Sequence, residues 1–309
     1  MPDTHLVVAH ISDLHPTGIL RPSLALLAGK RPLGLLSLLL RRNRRHPRHI
    51  LDRVIDDVRD DRPDHLLVGG DMVNLALPAE FAVARTLMAR TGLPQSAISV
   101  VPGNHDRYIG GAYRARLFER YFGVFTSSVA PFPDEAFPFL QVRDGLAVLG
   151  VCSGWPASPI QARGTIGERH LRRIEVLLGH PAARGPLAVL VHHPPLPYPN
   201  PVEQWLNGLH DHKALLGLLG GTGAVVLHGH RHLALHSIVE TARGPVRVIG
   251  VPSASDRGGR SERTRGYHRY RFGPAGFEGG ERRVWNEVRS AFDVLPLPEP
   301  ETVRWEDLR

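Results

Sequence analysis

The chain has 309 residues, 42% apolar and 22% charged, a balance that supports a sizeable folded core and excludes a disordered or coiled-coil class. Its 38 Lys and Arg against 30 Asp and Glu leave a formal net charge of +8, with a pI near 10.3. The single cysteine, Cys152, excludes an internal disulfide, and no charged leader with a cleavage site precedes the first apolar run, so a cytoplasmic protein is expected.

In chain order, an apolar run at residues 5–12 reads as a buried strand and ends at Asp13-Leu14-His15. A leucine- and arginine-rich stretch at about 19–48 comes next, and then a helical pattern over 50–58. The run 65–69 leads into Gly70-Asp71, and a second helical pattern covers 80–90. The run 97–101 leads into Gly103-Asn104-His105-Asp106. Residues 146–151 read as a strand before Cys152, which is expected to be a buried packing residue. The runs 187–191 and 224–227 lead into His192-His193-Pro194-Pro195 and His228-Gly229-His230-Arg231-His232. Strands alternating with helical patterns argue for α/β organisation, with no internal repeat and no linker that divides the chain.

Five strand ends thus deliver Asp, Asn and His toward loops, the composition of a two-metal hydrolytic site. The ordered set DLH, GD, GNHD, HHPP and GHRH resembles the calcineurin-like metallophosphoesterases, a superfamily that includes purple acid phosphatases and cyclic-nucleotide phosphodiesterases. The motifs span Asp13 to His232, and the GNHD and HHPP forms are nearest to the class III cyclic-nucleotide phosphodiesterases. No nucleophile-elbow serine, Walker loop or dinucleotide glycine fingerprint competes. The fold that the resemblance implies is a four-layer αββα sandwich, helices outside two mixed β-sheets, over one domain at 1–309 with the site on one edge.

By the same resemblance, Asp71 bridges two divalent cations, with Asp13, His15 and His232 completing one and Asn104, His192 and His230 the other. Manganese or iron is expected, and zinc suits the same oxygen and imidazole set. His192 is preferred over His193 because the family's ligand stands two residues before a proline, and strand alternation turns His193 to the opposite face. Alternation also places His230 and His232 on one side, with Arg231 turned away. A hydroxide shared between the cations, its pKa lowered toward neutrality, attacks phosphorus in line without a covalent enzyme intermediate. His105 faces the departing oxygen as a general acid or charge stabiliser. Asp106 is read as a loop stabiliser. In the phosphoprotein phosphatase branch the position of Asn74 is an acid; here its amide is expected to orient His105, which leans the reading away from that branch.

The expected activity is hydrolysis of a small-molecule phosphodiester, a cyclic nucleotide or similar. The alternative is a lipid phosphate or pyrophosphate cleaved at the inner membrane face, although the family's UDP-diacylglucosamine pyrophosphohydrolases carry arginine where this chain has His105. A non-catalytic scaffold is disfavoured because every expected ligand position is filled. The stretch at 19–48 is too short and too interrupted by Pro22, Pro32 and Gly34 to span a bilayer. It reads as an interfacial helix whose Arg41, Arg42, Arg44 and Arg45 meet anionic headgroups, or as a lid packed on the domain or on a second copy in a homodimer. A second basic stretch, from Arg257 to Arg271, lacks the aromatic interleaving of a nucleic-acid platform, so no nucleic-acid partner is expected. Residues 266–272 alternate like a strand with Arg269 and Arg271 on its solvated face, and 288–309 reads as a tail extended over the surface.

Overall fold

The apolar runs pair into two mixed sheets flanked by helices in the computed structural model, which describes residues 5–17, 45–158, 161–258 and 264–308. The first sheet contains β1 (Leu6–Ile11), β2 (His65–Val68), β3 (Ile98–Val100), β10 (Gly266–Gly273), β11 (Gly276–Asn286) and β12 (Ala291–Pro296). Its order is β12-β11-β10-β1-β2-β3. The second contains β4 (Phe139–Arg143), β5 (Leu146–Val151), β6 (Leu187–Val191), β7 (Val225–His228), β8 (Leu235–Thr241), β9 (Gly244–Gly250) and β13 (Glu301–Arg304), ordered β13-β8-β9-β7-β6-β5-β4.

Parallel pairing decides where the site forms. β1, β2 and β3 are mutually parallel, as are β5, β6, β7 and β9, so their carboxyl ends reach one edge of each sheet. The sheets pack through side chains that alternate along each strand. On β6, Ala188 and Leu190 join the core shared with the first sheet, whereas Leu187, Val189 and Val191 join a second core beneath the helices Glu168–Leu178 and His212–Leu219. Continued past the strand, this alternation sends His192 and His193 to opposite faces.

Helix α1 (Arg48–Asp61) buries Ile50, Leu51, Val54, Ile55 and Val58, an i, i+3, i+4 stripe that packs on the first sheet. It stops at Arg62, whose left-handed backbone (φ 50°) turns its N–H onto the Val58 carbonyl. Helix α2 (Pro78–Arg90) begins with proline, and its Glu80 carboxylate accepts the N–H groups of Asn74 (3.1 Å) and Leu77 (3.0 Å), fixing the turn before it.

The segment expected to extend over the surface from 288 forms edge strands: β12 pairs with β11, and β13 adds a parallel edge strand to β8. Its extended, proline-containing character suits edge strands, which need only one bonded side. The insertion expected at 19–48 falls largely outside the described residues, which resume at Arg45. Strand β10 spans the alternating run as expected, with Arg271 exposed and Arg269 paired to Asp61 and Glu281. Among the described residues no helix is long and apolar enough to cross a membrane.

Candidate metal centre

Five of the expected ligands have left-handed backbones: Asp13 (φ 54°), His15 (37°), Asp71 (53°), His230 (65°) and His232 (55°). Such conformations cost a non-glycine residue of order 1–3 kcal/mol and concentrate where function over-determines the chain. The surrounding loops supply that constraint. Asp13 N–H donates to the Gly70 carbonyl (2.9 Å) and His15 N–H to that of Asp71 (3.2 Å), lacing the ends of β1 and β2 together. A Cβ on Gly103 would overlap the Asp71 carboxylate, and one on Gly229 would overlap Asp13 and Ser12, so the motif glycines permit the loops' close approach.

Around the first position, Asp13 Oδ1 lies 3.0 Å from His232 Nε2 and 3.9 Å from His15 Nε2. Around the second, His192 Nε2 stands 3.3 Å from Asn104 Oδ1 and 3.2 Å from His230 Nδ1. Asp71 joins the two groups, its Oδ2 3.5 Å from His15 Nε2 and 3.6 Å from His192 Nε2. Asp13 also reaches the second group, since single ligand atoms of Asp13, Asp71 and His192 lie within 4.8 Å of one another.

The donor chemistry fits cations. His192 gives its Nδ1–H to the Gly69 carbonyl (2.7 Å) and His230 bonds the Asn207 backbone, so two imidazole lone pairs and the Asn104 amide oxygen face one another. Two imidazole nitrogens and an amide oxygen that converge at about 3 Å suit a cation held between them. His15 Nδ1 is likewise held by the Val73 carbonyl (3.3 Å), and His232 Nδ1 faces Asp256 (3.5 Å). Burial, then the neighbouring His192 imidazole, pushes His230 down to about 3. His232 goes the other way: burial opposes its charge, but the carboxylates of Asp13 and Asp256 lift it to about 9. Burial would likewise raise Asp13, yet His232, His192 and His15 hold its carboxyl well below the usual range.

His105 is the second residue of the short helix Asn104–Arg107, its N–H bonded to Asp71 Oδ1 (2.8 Å) and its Nδ1 to the backbone carbonyl of Asn74 (2.9 Å). This corrects the expectation for Asn74. Its main chain receives the histidine, while its side-chain amide donates to the Pro16 carbonyl (2.9 Å). Asp106 accepts the N–H groups of Gly103 (2.8 Å), Met72 (2.9 Å) and Val73 (3.2 Å), tying two ligand loops together. His193 is spent on Ser153 Oγ (2.8 Å) and the Ala162 carbonyl (2.9 Å). His230 and His232 do converge on the site, but not by strand alternation: β7 ends at His228, and the left-handed turns beyond it aim both rings inward. Arg231 turns onto the ring of Tyr198 (4.6 Å).

Two residues at the site escape motif reading. His46 packs its ring 5.0 Å from His15 and 5.5 Å from His232, with Nδ1 2.8 Å from Ser255 Oγ. Asp256 faces His232 and binds Arg45 (3.0 Å). The signal for Asp256 was present, since Val248 to Val251 is a further short apolar run, followed after Pro252 by Ser253-Ala254-Ser255-Asp256. His46 had none. A cavity of about 440 Å³ opens over the cluster, walled by Arg45, His46, His105, Tyr198, Asn207 and Arg231.

The model of the calcineurin-like phosphoesterase family matches residues 6–234, and the chain belongs to that family. The chain is 29% identical over 148 residues to a glycerophosphodiester phosphodiesterase, GpdQ, of Enterobacter lignolyticus, and the match covers 45% of each protein. It thus spans about half the length of that curated relative. Among solved structures it is similar to a dimetal phosphatase from Danio rerio, with a TM-score of 0.58 and 14% identity, covering 94% of this chain and 99% of that one. It is also similar to the purple acid phosphatase PPD1 of yellow lupin seeds, with a TM-score of 0.53 and 10% identity, covering 99% of this chain and 55% of that one. At these identities the structural likenesses concern the fold.

Proposed function

We propose that this calcineurin-like phosphoesterase is a binuclear metal-dependent phosphodiesterase acting on a small-molecule diester in the cytoplasm. The observation that carries the reading is the position of Asp71 Oδ2, 3.5 Å from His15 and 3.6 Å from His192, between two groups of imidazole and oxygen donors. Asp13, His15 and His232 would hold one cation, Asn104, His192 and His230 the other, and Asp71 would bridge them. Bound there, manganese, iron or zinc supplies Lewis acidity toward the phosphoryl oxygens and lowers the pKa of water enough to yield a nucleophile near neutrality.

The chain's own residues do the rest. Asn104 contributes a neutral oxygen, which keeps the ligand set from repelling an anionic ester. His105, with Nδ1–H given to the Asn74 carbonyl, lines the cavity, where in its cationic form it would deliver a proton from Nε2 to the departing oxygen. Arg45 and Arg231 place two guanidinium groups on the cavity wall for the remaining phosphate charge. Similarity to a glycerophosphodiester phosphodiesterase favours a diester over a monoester.

A second reading, a lipid phosphate or pyrophosphate as substrate, draws on one observation. The described residues stop at Thr17 and resume at Arg45, where Thr17 Oγ bonds the carbonyl of His46 (2.6 Å), and Arg45 and His46 both line the cavity. A panel of phosphomonoesters, diesters, cyclic nucleotides and lipid pyrophosphates, assayed with added manganese, separates the two. Turnover of soluble diesters above the other classes supports the first reading; preference for lipid pyrophosphates overturns it.

A further inference from the structure

Behind the first cation position, the loop after β9 braces two of the proposed ligands at once. Ser253 Oγ donates to the Asp13 carbonyl (2.7 Å) and Ala254 N–H to that of Ser12 (2.9 Å), which ties the loop to the end of β1. The same loop carries Asp256, 2% exposed, whose Oδ2 stands 3.5 Å from His232 Nδ1. That carboxylate is fixed from two further sides. Gly258 N–H donates to Oδ1 (3.0 Å) and Arg45 Nε–H to Oδ2 (3.0 Å), while the Arg45 carbonyl accepts the Arg257 N–H (2.7 Å) and so holds Arg45 to the loop.

His232 differs in this from the other three proposed histidine ligands. His15 and His192 bond the Val73 and Gly69 carbonyls through Nδ1, and His230 bonds the Asn207 backbone, all neutral partners. His232 Nδ1 is enclosed without a hydrogen-bond partner among the described residues, and the group that faces it is a carboxylate. If Nε2 gives its lone pair to a cation, the ring proton must sit on Nδ1, and a buried N–H without an acceptor is costly. A carboxylate behind a metal-bound imidazole removes that cost, fixes the ring's orientation and makes it a stronger donor. His46, His232 and Asp256 also lie close enough to hold a cation of their own, but Arg45 already sets a positive charge on the same Asp256 oxygen, and His232 Nε2 is turned to Asp13.

We propose that Asp256 is a positioning residue for the metal centre: held by Arg45 and Gly258, it accepts the Nδ1–H of His232 and thereby sets the affinity of the first cation position and not of the second. The inference rests on the two-cation reading of the site.

The test is titration of manganese into metal-free protein, read by the electron paramagnetic resonance of the free ion, in two backgrounds that each spare one position. Asn104→Ala spares the first and His15→Ala the second. Asp256→Ala should weaken manganese binding by about 10–100-fold in the Asn104→Ala background and leave it unchanged in the His15→Ala background. Asp256→Asn keeps an oxygen facing the ring, so it should lose less, and it carries the comparison if the alanine variant does not fold. Equal weakening in both backgrounds would mean a general structural role and overturns the proposal, as does no weakening in Asn104→Ala. A third ion on the parent that Asp256→Ala removes also overturns it, because Asp256 would then be a ligand. A parent that holds fewer than two ions contradicts the two-cation reading itself and takes the proposal with it.

Discussion

His105 Nδ1 lies 2.9 Å from the main-chain carbonyl of Asn74, not from its side chain. The histidine is therefore oriented by a group that substitution at Asn74 does not remove. Asn74→Ala should cost about 1 kcal/mol of stability through the lost bond to Pro16, with turnover close to that of the parent. Steady-state rates checked beside urea midpoints decide it, and a rate loss as large as that of His105→Ala would show that the amide matters.

His105→Ala should leave metal content nearly unchanged, because this ring is not among the proposed ligands: its Nδ1 bonds the Asn74 carbonyl and its edge meets His15 at 5.1 Å. Diesters with poor leaving groups should slow by roughly 10²–10⁴, the usual span for general acid catalysis. Activated aryl esters should suffer less. Equal slowing of good and poor leaving groups would remove the protonation role and leave charge stabilisation.

Stability should fall with acid through His65. Burial, aided by the Arg143 charge, holds this ring down to about 4, and its Nε2 pairs with Ser99 Oγ at 2.7 Å. The unfolded chain takes up the proton near pH 6.5, whereas the folded chain refuses it until about pH 4. The contribution is therefore complete above pH 6.5 and is lost as pH falls between those values, about 2 kcal/mol by pH 5. Urea midpoints at pH 7 and pH 5 measure it: His65→Gln should lose less stability than the parent between the two. Equal losses would mean that His65 is not the titrating group.

Much of the site was legible because parallel sheets advertise themselves. Each buried strand reads as an uninterrupted apolar run, and the residues just past its end must lie at the sheet edge, so Asp13, Asp71, Asn104, His192, His230 and His232 could be placed together from sequence. Three features were not legible, for separate reasons. The hold on His105 is a backbone carbonyl, which has no residue type. His46 lies at the end of a long insertion rather than after a strand, so no pattern marks it. The pairing of 291–304 depends on which sheet edges are vacant, a tertiary fact that short proline-containing runs do not reveal.

The basic insertion gives a prediction that tests the lipid reading. Each arginine near an anionic surface contributes about 1 kcal/mol, an attraction that weakens as salt rises. Arg45 is committed to Asp256, so Arg41, Arg42 and Arg44 are the residues to change. Co-sedimentation with anionic vesicles should fall when all three become Gln, while hydrolysis of a soluble diester persists. If the parent does not pellet with anionic vesicles at low salt, the membrane reading is rejected.

A bridging Asp71 would join two cation positions into one catalytic unit. Metal analysis of purified Asp71→Asn beside the parent and His15→Ala, with diester hydrolysis measured on the same samples, tests this most directly. The parent should hold two ions per chain, His15→Ala should lose mainly one, and Asp71→Asn should hold neither tightly and should not turn over, with its fold largely intact by circular dichroism. Two tightly held ions and normal hydrolysis in Asp71→Asn would contradict the bridge.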